Sequence, residues 1–392
     1  MILYSFNPEH DLALASGEAN YMAPASARQM ANDLALLPIW YAEAGSAVLA
    51  SSAYNLDYLK KMQELLGVDV QLVTPPEVGL DRSVSFFPWG WNPALRKRLL
   101  TLGVDETQLP SEAYLSELRG YAHRSQAVGL LPKLQLSPFF CGESFYLKTM
   151  EECETFVESR ATSLLKSPLS GSGKGLNWCK GTFTNFISGW CARVSSSQGG
   201  VIGEPIYNKV EDFAMEFYLD GTGHISFAGY SAFQTSESGM YAGNALLSDE
   251  KILAKLSAYV PCEELSGLRI RLEEELVALF GDFYRGYLGV DMMICHFPGE
   301  VPEYRIHPCV EINLRMNMGL VARFLTDRYL ADEAVGTFQI AYYPAEGLAL
   351  KEHLEKSEDF PLRIANGRIY SGYLSLVPVT PRSRYGAFIL CE

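Results

Sequence analysis

The sequence predicts a mixed α/β (α+β) protein of more than one domain, with a parallel α/β segment first and strands around one glycine-rich loop after residue 120. Three observations lead there. At 392 residues the chain exceeds one ordinary domain. Hydrophobic residues make up 48% and charged residues 20%, and 33 Gly and 20 Pro are spread along the chain, so cores can form and disorder, collagen and coiled coil are excluded. The third is the spacing of apolar positions, which changes along the chain.

Residues 2–6, 47–50, 70–73 and 84–87 are short apolar runs rich in β-branched or aromatic residues. Between them, 25–37 and 55–66 carry helical spacing, with Leu56, Leu59, Met62, Leu65 and Leu66 repeating at threes and fours. Strand and helix in alternation build a parallel sheet. Segments 92–102 and 111–129 add helices, the second opening on a capping-box-like Ser111-Glu112. From Ser137 onward 145–147 reads as a strand, 150–160 as a helix, and 163–166 as a strand running into Ser167-Pro168-Leu169-Ser170-Gly171-Ser172-Gly173-Lys174-Gly175. Strand 176–179, helix 185–193 and strands 201–206, 213–219 and 225–232 follow. Helix 269–280 carries the stripe Leu268, Leu272, Leu276, Leu279 and Phe280, with three consecutive glutamates on its wet side. Strands 290–297 and 310–314 and helix 318–330 come next. In the remainder 348–356 is helical and 369–377 and 387–390 are strands, a tail expected to pack back on one of the domains.

Lys and Arg number 32 against 46 Asp and Glu, a net charge of −14 that repels phosphate backbones and anionic lipid. Nucleic acid and membrane are therefore not expected partners. The eight cysteines are scattered without a C-x-x-C pair and read as reduced residues rather than a zinc site. No apolar run reaches the roughly 18 residues of a membrane span, and Met1 to Asp11 lacks a signal-peptide pattern, so the expected place is the cytoplasm.

Two constellations carry chemistry. The loop around Gly171, Gly173 and Gly175 with Lys174 is no Walker A motif, because Gly175 follows Lys174 and position 168 is Pro. It is no dinucleotide fingerprint either, because position 176 is Leu. What remains is a strand ending in Lys166 and small residues whose N–H groups can approach an anion, a flap over phosphates or a plain hairpin turn. The second constellation is Asp291, held among apolar neighbours, with Glu311 and Asn313 two apart on a strand and so on one face. Two carboxylates and an amide oxygen suit Mg²⁺ that bridges nucleotide phosphates, although polar alternation is also the ordinary strand pattern.

The order of these elements resembles the ATP-grasp superfamily: a strand with a lysine, a glycine flap, Gly203-Glu204-Pro205-Ile206, the strand Glu211-Asp212-Phe213-Ala214-Met215-Glu216-Phe217, a strand with Asp291, then Glu311-Ile312-Asn313-Leu314-Arg315. The resemblance covers residues 121–331, and the segment before it is similar to the domain that precedes the module in that superfamily. It implies an N-terminal α/β domain at 1–120, a two-lobed module with antiparallel sheets at 121–331 (lobes 121–206 and 207–331), and a C-terminal extension at 332–392.

By that resemblance Lys166 reaches the α- and β-phosphates, and Arg124 stands where the family usually carries an earlier lysine. Gly171, Ser172, Gly173, Lys174 and Gly175 form the flap; Glu204, Pro205 and Ile206 form the hinge that reads adenine; Asp212 binds the ribose hydroxyls. Asp291, Glu311 and Asn313 hold the metal, Mg²⁺ or Mn²⁺, and Arg315 and Arg305 hold the transferring phosphoryl or a substrate carboxylate, with a surface salt bridge the alternative for Arg305. The implied activity is an ATP-dependent carboxylate–amine ligase acting through an acylphosphate; a phosphotransferase on the same fold and a non-catalytic nucleotide-binding protein are the alternatives. Expected partners are a small-molecule or peptide carboxylate, an amine, and a second copy of the chain as a homodimer. His10, Asp11, Trp89 and Trp91 are candidates for the second substrate at the carboxyl ends of the first strands, against a turn histidine and packing aromatics; Cys309 lacks a visible histidine base.

Overall fold

A computed structural model describes residues 1–51, 53–79, 83–171, 175–236 and 239–392. The chain divides into two units, one of Met1–Ser116, Ala242–Ser248 and Met316–Glu392, the other of Glu117–Tyr241 and Asp249–Arg315.

The first unit opens with β1 (Ile2–Ser5), α1 (His10–Ser16), α2 (Ala25–Asp33), β2 (Ser46–Leu49), α3 (Ala53–Leu66), β3 (Val70–Val73), β4 (Ser85–Pro88) and α4 (Pro93–Thr101). The strands pair in parallel in the order β3-β2-β1-β4, as their alternation with helices predicts. Every residue of β2 is buried, and Leu3, Ala47 and Leu49 pack with Leu95 and Leu99. The helix expected over 25–37 stops at Asp33, whose carboxylate accepts the backbone N–H groups of Arg384 and Tyr385 at 2.8 and 3.0 Å. A short 3-10 turn at Leu37–Trp40, with Pro38 inside it, replaces the last turn.

The helix expected over 111–129 is two helices, α5 (Glu112–Tyr121) and α6 (Ser125–Leu134). The break is held by His123, whose Nδ1 accepts the Ser125 backbone N–H at 3.2 Å and whose Nε2 lies 3.0 Å from the Gln198 carbonyl. Arg124 sits at that corner and is buried.

In the second unit β5 (Phe145–Leu147), α7 (Met150–Glu158), β6 (Ser163–Lys166), β7 (Leu176–Cys179), α8 (Asn185–Gln198) and β8 (Val201–Pro205) make an antiparallel sheet in the order β5-β8-β6-β7. Thr149 and Glu152 close a capping box on α7, and Cys153, Phe156 and Val157 pack with Leu165, Cys191 and Val201. Next in the chain come β9 (Lys209–Asp220), β10 (Ile225–Thr235), β11 (Tyr241–Leu246), which after Tyr241 belongs to the first unit, then α9 (Asp249–Leu256), α10 (Cys262–Phe280), β12 (Arg285–His296) and β13 (Tyr304–Asn313). The antiparallel ladder β13-β12-β9-β10 belongs to this unit. Leu265, Leu268, Leu272, Leu276 and Phe280 bury one side of α10. Of its three consecutive glutamates, Glu275 is not on the wet side: it is buried and paired with Lys133 at 2.7 Å and Arg271 at 2.9 Å.

The chain ends in the first unit with α11 (Met318–Tyr329), β14 (Gly336–Tyr342), α12 (Leu348–Asp359), β15 (Arg363–Ala365), β16 (Arg368–Ser375) and β17 (Tyr385–Cys391). There the order β11-β14-β17-β16-β15 gives a second antiparallel ladder. Trp40 donates to the Leu376 carbonyl at 2.7 Å and Tyr58 to that of Ser375 at 2.6 Å, which ties the tail to the opening segment. Among the described residues no helix is long and apolar enough to cross a membrane.

Candidate active site

One face of the ladder in the second unit collects the acids. Asp291 on β12 stands opposite Glu311 on β13 and Ala214 on β9, while Gly289 stands opposite Asn313 and Glu216. Residues paired across strands share a face, and a period of two keeps 289 with 291 and 311 with 313. Glu216, Asp291, Glu311 and Asn313 therefore project together. Asn313 Nδ2 donates to Asp291 Oδ2 at 3.1 Å, and Ser231 Oγ donates to Glu216 Oε1 at 2.9 Å. Burial pushes the Asp291 carboxyl well above the carboxylate range, the charges of Glu311 and Glu216 push the same way, and Asn313 and Arg315 oppose them.

Glu216 has no place among the residues singled out from the sequence. Its signal is the one that exposed Asp291, an acid inside an apolar strand, here Phe213 to Leu219. Asp212 lies on β9 opposite Met293 and is ion-paired with Lys209, with Thr235 Oγ1 donating to it at 2.9 Å.

The other sheet of this unit supplies the cations. Lys166, last residue of β6, is buried and pairs through Nζ with Glu204 Oε2 on β8 at 2.5 Å. Ser144 Oγ donates to the other oxygen of Glu204 at 3.1 Å. Beyond β8, Ile206 is exposed at the end of the hinge segment and Pro205 is half-buried.

Arg124 joins the two sheets. Its Nη1 donates to the Ser167 carbonyl at 2.5 Å and to Ser170 Oγ at 2.6 Å; its Nη2 donates to the Ser170 carbonyl at 2.9 Å and to Glu311 Oε1 at 2.7 Å. Only Nε is buried without a partner. The guanidinium thus bridges the base of the glycine loop to a carboxylate of the acid cluster, a fork geometry that lysine cannot reproduce.

The loop closes on itself. Ser167 N–H donates to the Gly175 carbonyl at 2.8 Å, and Gly175 has φ +75°, where a Cβ would meet Ser167 Oγ at 2.8 Å and Ser170 Oγ at 2.9 Å. Gly171 is buried; Ser172, Gly173 and Lys174 lie outside the described residues.

Arg315 follows β13 and donates its N–H to the Asn313 carbonyl at 2.9 Å. Arg305 lies six residues before Glu311 on the same strand. It donates to Glu300 Oε2 at 2.6 Å and to the Pro302 carbonyl at 3.2 Å, and lies over the Phe297 ring at 4.5 Å. Those partners occupy its guanidinium away from the acids. Cys309 is buried, which drives its thiol pKa upward and suppresses the thiolate.

In the first unit His10 and Asn7 follow β1, and Gly90 and Asn92 follow β4. Asn7 Nδ2 donates to the Gly90 carbonyl at 2.9 Å, and His10 Nδ1 lies 3.4 Å from Asn92 Nδ2. His10 is buried, Asp11 and Trp91 are half-buried, and Trp89 is buried edge-on to Phe6 with ring centroids 5.0 Å apart.

The donor set of Asp291, Glu311 and Asn313 fits a hard divalent cation. Three acids on one face, one with its proton held by burial and repulsion, are relieved by positive charge. Among the described residues no group of three His, Cys, Asp or Glu side chains forms a metal cage.

No family model and no curated protein sequence matches the chain. Among solved structures it is similar to a biotin carboxylase–β,γ-ATP complex from Campylobacter jejuni, at TM-score 0.50 and 11% identity, covering 100% of this chain and 87% of that one. It is also similar to N5-carboxyaminoimidazole ribonucleotide synthetase from Thermus thermophilus, at TM-score 0.49 and 12% identity, covering 100% and 94%. The first likeness shows the fold alone, a mixed α/β arrangement with one parallel sheet and antiparallel sheets.

Proposed function

We propose that this chain is an ATP-grasp enzyme, a Mg-ATP-dependent ligase that activates a substrate carboxylate as an acylphosphate for attack by an amine. One observation carries the reading: Arg124 ties the glycine loop after Lys166 to Glu311, beside Asp291 and Asn313, so that buried cations and oxygen donors meet around one loop. The comparison supports it, since the biotin carboxylase was solved as a β,γ-ATP complex.

Asp291, Glu311 and Asn313 would hold the magnesium, which supplies charge neutralisation on the phosphates when bound. Lys166 orients the α- and β-phosphates, the Glu204–Ile206 segment reads the base through its backbone, and Asp212 takes the ribose hydroxyls. A substrate carboxylate oxygen attacks the γ-phosphorus, the bond to the β-phosphate oxygen breaks, and ADP leaves. The amine then attacks the acyl carbon, phosphate departs, and the amine loses a proton. Gly171 to Gly175 exclude water from the acylphosphate while it waits. Arg315, at the end of β13, steadies the transferring group.

Incubation with ATP, Mg²⁺ and pools of carboxylates and amines tests the chemistry. ADP and phosphate released together with a new amide is the expected result. A stable phosphorylated product would instead assign a phosphotransferase, and nucleotide binding without turnover a non-catalytic protein.

A further inference from the structure

A buried histidine within electrostatic reach of the Lys166–Glu204 pair has no role in the steps above. His307 lies on β13 opposite Met293, with none of its surface exposed, and neither Nδ1 nor Nε2 has a hydrogen-bond partner. Buried polar groups without partners are rare, and each calls for an explanation.

Its surroundings supply one. The backbone of Gly142, at φ +123°, closes on the ring edge so tightly that a Cβ there would lie 2.7 Å from Cδ2 and 2.8 Å from Nε2. The Tyr207 ring stands edge-on with centroids 5.6 Å apart. Charge reaches the imidazole from Glu204 on β8 and Lys166 on β6, the two members of the buried pair; Cys141 and Glu143 flank Gly142 on the segment packed above, and both act on Tyr207. In this state burial, with Lys166 acting the same way, holds the ring pKa down to about 4, while Glu204 and the residue's own backbone pull the other way.

Resting on the nucleotide reading of this site, we propose that His307 is the reserve counter-charge of Glu204: when Lys166 turns its ammonium to a bound phosphate, the imidazole takes a proton from solvent, and nucleotide binding is thereby coupled to proton uptake. The balance is one proton moved from bulk water or buffer to a ring nitrogen, with no covalent bond changed elsewhere. The physical need is plain. Glu204 is 5% exposed, and a buried carboxylate that loses its cation is strongly destabilised unless another charge replaces it. His307 is a positioning residue in this scheme: it frees Lys166 for the ligand without touching the reacting atoms.

Calorimetric titration of the full chain with Mg-ADP, near neutral pH in buffers of different ionisation heat, reads the proton directly. The expected result is an enthalpy that rises with buffer ionisation heat, with a slope of about one proton per site, and a slope near zero in His307→Gln and in Glu204→Gln. Substitution of so buried a residue endangers folding, so a second readout uses the unaltered protein: the ring ¹⁵N signals of His307 should move from the neutral to the imidazolium range on saturation. A flat slope in the unaltered protein, an unchanged slope in folded His307→Gln, or ring signals that stay neutral would each overturn the proposal. Mg-ADP that fails to bind in every buffer would refute the nucleotide reading itself, a different outcome from binding without proton uptake.

Discussion

Lys166→Met and Glu311→Gln are expected to fold but to lose the thermal stabilisation that Mg-ATP confers. That stabilisation is about 2.7 kcal/mol at a hundredfold excess over Kd if only the native state binds, and thermal shift with and without Mg-ATP measures it. A full shift in both variants would sink the site assignment. His307 makes a separate pH prediction in the ligand-free protein. Its native pKa is held down to about 4 against an ordinary 6.5. Above 6.5 both states are neutral and nothing depends on the group; below it the unfolded chain binds a proton that the native chain refuses. Stability is therefore lost as pH falls from 6.5 towards 4, by about 3 kcal/mol in full. Denaturant midpoints across that range should fall less in His307→Gln, and parallel curves would refute it. In the sequence Lys166, Asp291, Glu311 and Asn313 were singled out by the order of the motifs around them rather than by any one local string. Glu216 and His307 were not, because only strand register shows that Glu216 shares a face with Asp291, and only tertiary packing buries His307 against Gly142.

Within the elements, the break between α5 and α6 matters most. Ala122, His123 and Arg124 include no proline or glycine to mark a break, so the sequence reads one helix across them; the two ring nitrogens of His123 and the turn of Arg124 toward the loop interrupt it. Replacing Arg124 by Ala should cost about 3 kcal/mol, since Glu311 and the loop carbonyls lose their shared donor, and Arg124→Lys should recover only part of it. Equilibrium denaturation decides between these, and full rescue by Lys would show that charge rather than the fork is what the corner needs. The acid face gives the opposite sign. Asp291→Asn should raise the stability of the metal-free protein, by about 1 kcal/mol or more, because it removes a carboxyl that burial and two neighbouring acids oppose, while it abolishes any stabilisation by Mg²⁺. Unfolding curves with and without Mg²⁺ test both halves, and a destabilised metal-free variant would argue against the repulsion. Strand and helix cores were readable at this scale: β3, β5, β6 and β7 fall on the runs predicted for them. α1, β11 and β15 were not; β11, for one, has no β-branched residue and holds Gly243 and Asn244, which are poor strand formers.

For the whole molecule the net charge of −14 opposes the approach of an anionic nucleotide, while Arg124 and Lys166, buried and already paired, contribute little to the long-range field. The association rate of Mg-ATP should therefore rise with added salt between about 0.01 M and about 0.15 M, as screening shortens the reach of that repulsion, and stopped-flow binding would measure it. A rate that falls with salt would mean a basic entrance that the composition hides. Composition, apolar spacing and the order of motifs were enough for the α/β class, the run of elements and the ATP-grasp resemblance, because each is a local or additive property of the chain. Which groups meet was decided only by tertiary structure. Arg124 reaches Glu311 across 187 positions, and Lys166 finds Glu204 through the pairing of β6 with β8. Register and the corner at His123 create those contacts, and no string of neighbours in sequence encodes a distance between strands.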